Sequence, residues 1–238
     1  MTRLTERDLA ATIDHAILKP QLARADVDAE LDVVTAWRVH SACVRPSDVA
    51  YAAERLAGTG VAVCTVIGFP HGTTSTAAKV AEVTQSLADG ADEVDMVINI
   101  GALRSGFDDA VLADIAAVVE AASGHIVKVI LETSLLDDKQ IARGSRLSEQ
   151  GGADFVKTST GFAGGGATVA HVELMRASVG PDVQVKASGG VRSYADALAM
   201  LAAGATRLGT SGSAVILSEA RRVDAGGEAS GEVDATSY

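Results

Sequence analysis

Four ionisable side chains fall in or at the end of runs that are otherwise apolar: Asp14 in IDHAIL, Asp95 in EVDMV, Lys157 closing DFVK and Lys186 closing VQVK. Strands enclosed by helices are apolar on both faces, so charges at their carboxyl ends point into the mouth of whatever the strands enclose. Each residue taken singly reads equally well as half of a structural ion pair, whereas the four together favour a reactive cluster. Two lysines ending adjacent strands bring like charges together, which depresses one pKa and leaves a neutral, nucleophilic amine. Such an amine adds to an aldehyde or ketone and loses water to form a Schiff base. The cationic nitrogen then draws electrons from a breaking carbon–carbon bond, which is class I aldolase chemistry. Asp95 is suited to moving the proton of the substrate hydroxyl. Phosphate or carboxylate binding by Lys157, without a covalent bond, is the alternative these residues leave open.

Two glycine-rich turns follow the last strand-like runs, ASGGVR at 187–192 and GTSGS at 209–213. Backbone N–H groups at Gly189, Gly190 and Gly212, with the hydroxyls of Ser188 and Ser211, suit a phosphate at helix N-termini. The loops after strands seven and eight are the usual phosphate site of barrel enzymes. Either turn alone is a weak signal; their joint position gives it weight.

For these groups to converge, the chain must alternate strand and helix, and it does: Val- and Ile-rich runs separate Ala-rich stretches of helical spacing that close on Gly. Eight runs read as strands, at 12–18, 41–44, 61–67, 93–98, 126–131, 154–157, 183–186 and 206–209. Between them, 74–88 carries a helical stripe through Ala77, Val80, Val83 and Leu87. Ser193 with Asp196 forms a capping-box pattern at the head of 195–203. A Gly-Ala followed by a short strand recurs at Gly90, Gly152 and Gly204, and each interval holds two strand–helix units of crossover size. Eight units predict an α/β fold of the (β/α)8 TIM-barrel type in a single domain over 1–217. An open doubly wound sheet is the alternative, disfavoured because no GxGxxG follows an early strand. Beyond Leu217 the pattern fades, and 218–238 is expected to be an acidic, flexible tail.

The 238 residues include 31 acidic and 20 basic side chains, a net charge of −11 that repels nucleic acid and anionic lipid alike. The longest apolar stretch, 61–69, is far short of the roughly 20 residues of a membrane span. The first residues lack the apolar core of a signal peptide, so the cytoplasm is the expected location. Cys43 and Cys64 read as reduced core thiols. The five histidines show no ligand spacing and the two cysteines lie in different strands, so no metal site is expected.

Five segments, IDHAILKP, DEVDMVINIGAL, KVILETSLL, VKTSTGF and VKASGGVR, closely resemble the deoxyribose-phosphate aldolase family, and the resemblance runs from about residue 10 to 217. It implies reversible cleavage of 2-deoxy-D-ribose 5-phosphate to glyceraldehyde 3-phosphate and acetaldehyde, with neither metal nor organic cofactor. The family's Schiff-base lysine, in KTSTG, falls on Lys157. The lysine that tunes it falls on Lys186, and the aspartate of proton transfer on Asp95. Cys43 matches a pocket cysteine. Substrate or phosphate contacts are expected from Asp14, Cys43, Thr158 and Gly161, together with Gly189, Gly190, Ser211 and Gly212. The expected partners are sugar-phosphate and aldehyde substrates, and a second copy in a homodimer.

Two departures bear on substrate contacts. Ala16 stands where members often have Thr, and Phe162 where some carry a Lys. Some members end in Tyr, as this chain does at Tyr238. An unconstrained terminus is the favoured reading there, and a proton relay to the enamine carbon is the alternative. Lys128 and Glu132 share parity on strand five and are expected to face the same way, pairing within the barrel or with Asp14. Asp108, Asp109, Asp137 and Asp138 read as residues that begin helices.

Overall fold

The computed structural model describes residues 4–235. Its eight parallel strands are β1 (Ile13–Ile17), β2 (Ser41–Val44), β3 (Ala62–Ile67), β4 (Glu93–Val97), β5 (Ile126–Ile130), β6 (Phe155–Lys157), β7 (Gln184–Ser188) and β8 (Arg207–Thr210). They pair in sequence order and close, β8 against β1. Every predicted run is a strand, displaced by at most two residues at either end. The largest difference is at β7, which continues to Ser188 because Ser188 pairs with Gly209 of β8. Lys186 therefore sits within its strand rather than at the end. Asp14 and Asp95 also lie inside β1 and β4, below the mouth.

The helices are α1 (Glu6–Ala10), α2 (Arg24–Trp37), α3 (Val49–Leu56), α4 (Thr76–Ala88), α5 (Ile100–Ser105), α6 (Asp108–Ala122), α7 (Asp138–Gln150), α8 (Val169–Ser178), α9 (Tyr194–Ala202) and α10 (Ser213–Asp224). Side chains set several of their starts. The Ser193 hydroxyl accepts from Asp196 N while the Asp196 carboxylate returns to Ser193 N, and Asp137 with Gln140 does the same for α7. Thr5 caps α1 in the same manner, a short helix that the mixed charges of the first residues concealed. The last helix runs past Leu217 to Asp224, with Ile216, Leu217 and Ala220 buried along one face.

Because side chains alternate across a strand, the two faces of the barrel divide the chemistry. Outward residues such as Val63, Val94, Val127, Val156 and Val185 pack under the helices in one apolar core. The inward face carries the charged residues, and Leu18, Cys43, Cys64 and Val66 form an apolar patch there, beside Ala16 and Phe69. A separate buried pair braces the end of β4 from outside. Lys79 of α4, fully enclosed, donates to Asp114 of α6 at 2.6 Å and to the Val97 carbonyl at 2.9 Å.

Candidate active site

Asp95 and Glu93 are alternate residues of β4 and project from the same face. Lys128 stands opposite Asp95 on β5, and Lys157 opposite Lys186 on β6 and β7. Lys157 Nζ and Lys186 Nζ donate to the same atom, Asp95 Oδ2, at 2.8 and 2.7 Å. Lys128 Nζ holds the other oxygen, Oδ1, at 2.8 Å and reaches Glu93 Oε2 at 2.5 Å. Asp14 closes the ring, with Lys186 at 2.5 Å and Arg207 at 2.9 Å on its two oxygens, while Arg207 also meets Glu93 at 3.3 Å. The four cations Lys128, Lys157, Lys186 and Arg207 thus face three carboxylates, Asp14, Glu93 and Asp95, in a space almost closed to water.

Burying a carboxylate raises its pKa, and here neighbouring charges reverse the sign. Lys128, Lys157 and Lys186 hold Asp95 well below the usual carboxylate range against its burial, and Lys186, Lys128 and Arg207 do the same for Asp14. Burial of Glu93 is outweighed by the His40 hydrogen bond and by Lys128, which bring it down to about 2. Lys186 shows the opposite of the like-charge expectation. Burial alone would lower its pKa, yet Asp14 and Asp95 outweigh both burial and Lys128 and lift it above the ordinary lysine value. Lys128 is raised in the same way, principally by Asp95. Of the three lysines, Lys157 has the fewest carboxylate contacts, a single one to Asp95.

Lys157 and Lys186 form part of the wall of a small cavity, with Ala16, Cys43 and Thr160 around them. Ala16 presents a methyl group where a hydroxyl was the alternative. Asp14 also lines this cavity, and its carboxylate accepts from Ser41 at 2.7 Å and pairs with Lys186 and Arg207, so it braces the lysine from the β1 side. Phe162 packs edge-on against Phe69, centroids 5.3 Å apart, and walls an apolar cleft that shares Leu18 with the ionic cavity.

In the loops above the cavity, three of the groups expected to meet substrate or phosphate already make hydrogen bonds within the protein. Thr158 Oγ1 donates to the Ser188 carbonyl at 2.8 Å and accepts from Ser188 N at 2.9 Å, so it knits β6 to β7. Ser188 Oγ donates to the Ser159 carbonyl at 2.6 Å, and the Gly212 amide is taken by Thr210 Oγ1 at 2.9 Å. Gly189 and Gly190 follow one another at φ 78° and 77°, a left-handed pair that favours glycine. Gly190 is exposed with open space beside its Cα, while Gly189 is packed against Gly166. Gly161, at φ 87°, turns the chain ahead of Phe162, and Ser211 is half-buried at the head of α10.

The stretch after α10 is not a loose tail over its described length. Gly231 N donates to Glu219 at 2.8 Å and Asp234 N to the Arg192 carbonyl at 2.9 Å. The Asp234 carboxylate then lies against Gly212, where an added Cβ would meet Oδ2 at 2.9 Å. Tyr238 lies outside the described residues.

Sequence reasoning missed Glu93, Arg207, His40 and Ser41, and gave Lys128 too little weight. The parity of Glu93 with Asp95, and a charge within strand eight, were the available signals. Glu132 does not pair with Lys128. It leaves β5 in a left-handed conformation at φ 58° and accepts from Thr160 N at 3.1 Å and from the Thr160 hydroxyl. The two cysteines, far apart in sequence, are register partners, and their sulfurs and an Asp95 oxygen lie within 4.8 Å of one another. Asp14, His40 and Glu93 form a second such group. In both groups a lysine or arginine already pairs with the carboxylates.

A closed parallel barrel with paired lysines and an aspartate at its cavity belongs to the class of lysine-dependent aldolases. The chain is a member of the DeoC/LacD aldolase family, whose profile matches residues 9–218. It is 56% identical over 208 residues to deoxyribose-phosphate aldolase 2 of Staphylococcus aureus, covering 87% of this chain and 94% of that protein. Deoxyribose-phosphate aldolase 1 of the same organism is 57% identical over 205 residues, 86% of this chain and 93% of that one. The deoxyribose-phosphate aldolase of Aeropyrum pernix, described as having a unique tetrameric structure, superposes with a TM-score of 0.86 at 34% identity, covering 93% of this chain and 94% of that one.

Proposed function

We propose that this aldolase cleaves 2-deoxy-D-ribose 5-phosphate reversibly to glyceraldehyde 3-phosphate and acetaldehyde, in the catabolism of deoxyribose phosphate. The observation that carries the reading is the pair of lysines on one carboxylate oxygen at the cavity wall. Lys128, Lys186 and Arg207 are each braced by two or more carboxylates, whereas Lys157 meets one and lines the cavity, which singles out Lys157 as the nucleophile.

Lys157 Nζ adds to the C1 aldehyde of the open-chain sugar, and loss of water gives the iminium. Asp95 takes the proton of the C3 hydroxyl as the C2–C3 bond breaks, and the electron pair moves into the iminium to form an enamine. Glyceraldehyde 3-phosphate leaves. Protonation at C2 and hydrolysis then release acetaldehyde and restore the amine. The cations around Asp95 hold it ionised and its oxygens occupied, so the proton moves between it and the substrate by way of the lysines that share Oδ2, and Lys186 returns it. The phosphate is held by the amide of Gly190 and by Ser211, on the two turns above the cavity.

Incubation with acetaldehyde and borohydride, followed by peptide mapping, is expected to give one stoichiometric adduct, on Lys157. Labelling at Lys186 reverses the two roles, and no adduct at either ends the covalent reading. The chain is further proposed to work in the cytoplasm, consistent with two free thiols, and as a homodimer. Phe107, 63% exposed at the head of α6, is a candidate contact, and light scattering decides the oligomeric state.

A further inference from the structure

No proton or electron of the aldol steps passes through Cys43 or Cys64, yet the fold sets the two thiols side by side against the reactive cluster. They are register partners on β2 and β3, and parallel strands lie about 4.8 Å apart, within the Cα separations that a disulfide spans. Their sulfurs lie within 4.8 Å of each other. The two differ in access. Cys43, itself 2% exposed, lines the small cavity beside Lys157, the side from which an oxidant would reach it. Cys64 is fully enclosed, its sulfur 3.3 Å from Asp95 Oδ1 and 3.5 Å from Lys128 Nζ. The hydrogen bond from Cys64 pulls the Cys43 pKa down against its burial, whereas burial pushes Cys64 up. A cavity-lining thiol whose pKa is lowered, backed by a fully enclosed second thiol, is the arrangement of an attacking and a resolving cysteine.

We propose that Cys43 and Cys64 form an oxidisable dithiol site through which hydrogen peroxide reversibly switches the aldolase off. Cys43 thiolate attacks one peroxide oxygen, the O–O bond breaks, and hydroxide leaves and takes up the thiol's proton as water. Cys43 is then a sulfenic acid. The Cys64 sulfur attacks Cys43 Sγ and displaces the hydroxyl, which departs as water with the Cys64 proton. Two thiols and one peroxide thus become one disulfide and two waters, the thiols losing two electrons to the oxidant. The bridge removes the Cys64 contact to Asp95 Oδ1 and reshapes the cavity wall beside Lys157. The bridge is reopened by exchange with an added thiol reductant, whose thiolate attacks one of its sulfurs.

The proposal rests on the proposed aldolase reaction only for its activity readout, because the bridge itself is read by mass. Wild-type protein treated with peroxide, then unfolded and alkylated, is expected to be lighter by two hydrogens with both cysteines unmodified. Sugar-phosphate cleavage is expected to fall about tenfold or more and to return with dithiothreitol. Cys64→Ala has no resolving thiol, so the same treatment is expected to carry Cys43 on to a sulfinic acid, heavier by two oxygens and not restored by the reductant. Loss of cleavage with both wild-type thiols still free to alkylate overturns the proposal, and so does a bridged protein that cleaves at the untreated rate. If untreated protein fails to cleave the sugar, the aldolase reading falls, while the bridge is still present or absent by mass. In that case the retro-aldol readout is replaced by borohydride trapping at Lys157, which bridging is expected to suppress and which, if unaffected, sinks the switch.

Discussion

Lys157 and Lys186 stand opposite each other on β6 and β7, and both donate to Asp95 Oδ2, so their nitrogens are no farther apart than two hydrogen bonds laid end to end. Two ammonium groups this close repel, and the shared carboxylate oxygen is what holds them together. Removing any one of the three changes the charge balance felt by the other two. The variants below separate those effects.

Lys157→Leu is expected to abolish cleavage and borohydride trapping together. Lys186→Leu removes a cation from beside Lys157, which makes release of the remaining proton harder. The rising limb of the pH–rate profile is therefore expected to move to higher pH, with trapping recovered under alkaline conditions. An unmoved profile would mean that Lys186 acts through something other than its charge.

Asp95→Asn removes the acceptor while keeping the shape. Imine trapping is expected to persist while carbon–carbon cleavage slows by about a hundredfold to ten-thousandfold, the usual contribution of general acid–base groups. Trapping and cleavage lost in equal measure would assign Asp95 to assembly of the cluster rather than to proton transfer.

Acid should destabilise the barrel from within. Glu93 sits at about 2 in the fold against 4.5 ordinarily, and Asp14 and Asp95 are lowered as well. A carboxylate depressed in the native state contributes stability that is complete above its unfolded pKa and is lost as pH falls toward the folded one. The Tm is expected to drop between pH 4.5 and about 2, with Glu93 alone contributing on the order of 3 kcal/mol. Glu93→Gln should flatten that part of the curve, as thermal melts across this range will show.

Gly190→Asp places a carboxylate in open space at a left-handed position that Asp tolerates better than most residues. The KM for the phosphorylated sugar is expected to rise about tenfold, the worth of one charged contact, while unphosphorylated deoxyribose is largely spared. Equal damage to both substrates would move the phosphate elsewhere.

Asp234 already sets a carboxylate against Gly212, beside the same turns. Asp234→Asn is expected to lower the KM for the phosphorylated sugar a few-fold, more at low ionic strength than at high, because a like charge has been removed from the anion's approach. Identical KM values at both salt concentrations would show that the carboxylate does not meet the phosphate.

The eight strands, and the two lysines that meet on Asp95, were legible in the chain because each rests on local pattern. Val and Ile runs bounded by glycine mark a buried parallel strand wherever it lies, and Lys157 and Lys186 stand out as charges in such runs. Glu93 and Arg207 follow the same rule, but each opens its strand rather than closing it, so neither stands at the carboxyl end where charges mark a barrel mouth. The sign of the effect on Lys186 could not be read this way. It depends on Asp14, Asp95 and Lys128 arriving from β1, β4 and β5, and the sequence distance between them says nothing about distance across a barrel.

The loop hydroxyls teach the same point. Thr158, Ser188 and Thr210 are polar residues near the mouth, and their types alone are compatible with substrate contact. Only the fold shows them joined to backbone groups of adjoining loops, leaving Gly190 as an exposed turn amide. Composition and periodicity determined that the chain builds a parallel barrel with an amine and a carboxylate among its strands, since burial and hydrogen bonding act on each segment separately. Tertiary structure decided which charges neutralise which, which hydroxyls are engaged, and that Cys43 faces Cys64. Those are properties of residues brought into register by closure of the sheet, and Coulomb energy and hydrogen bonding depend on separation in space rather than along the chain.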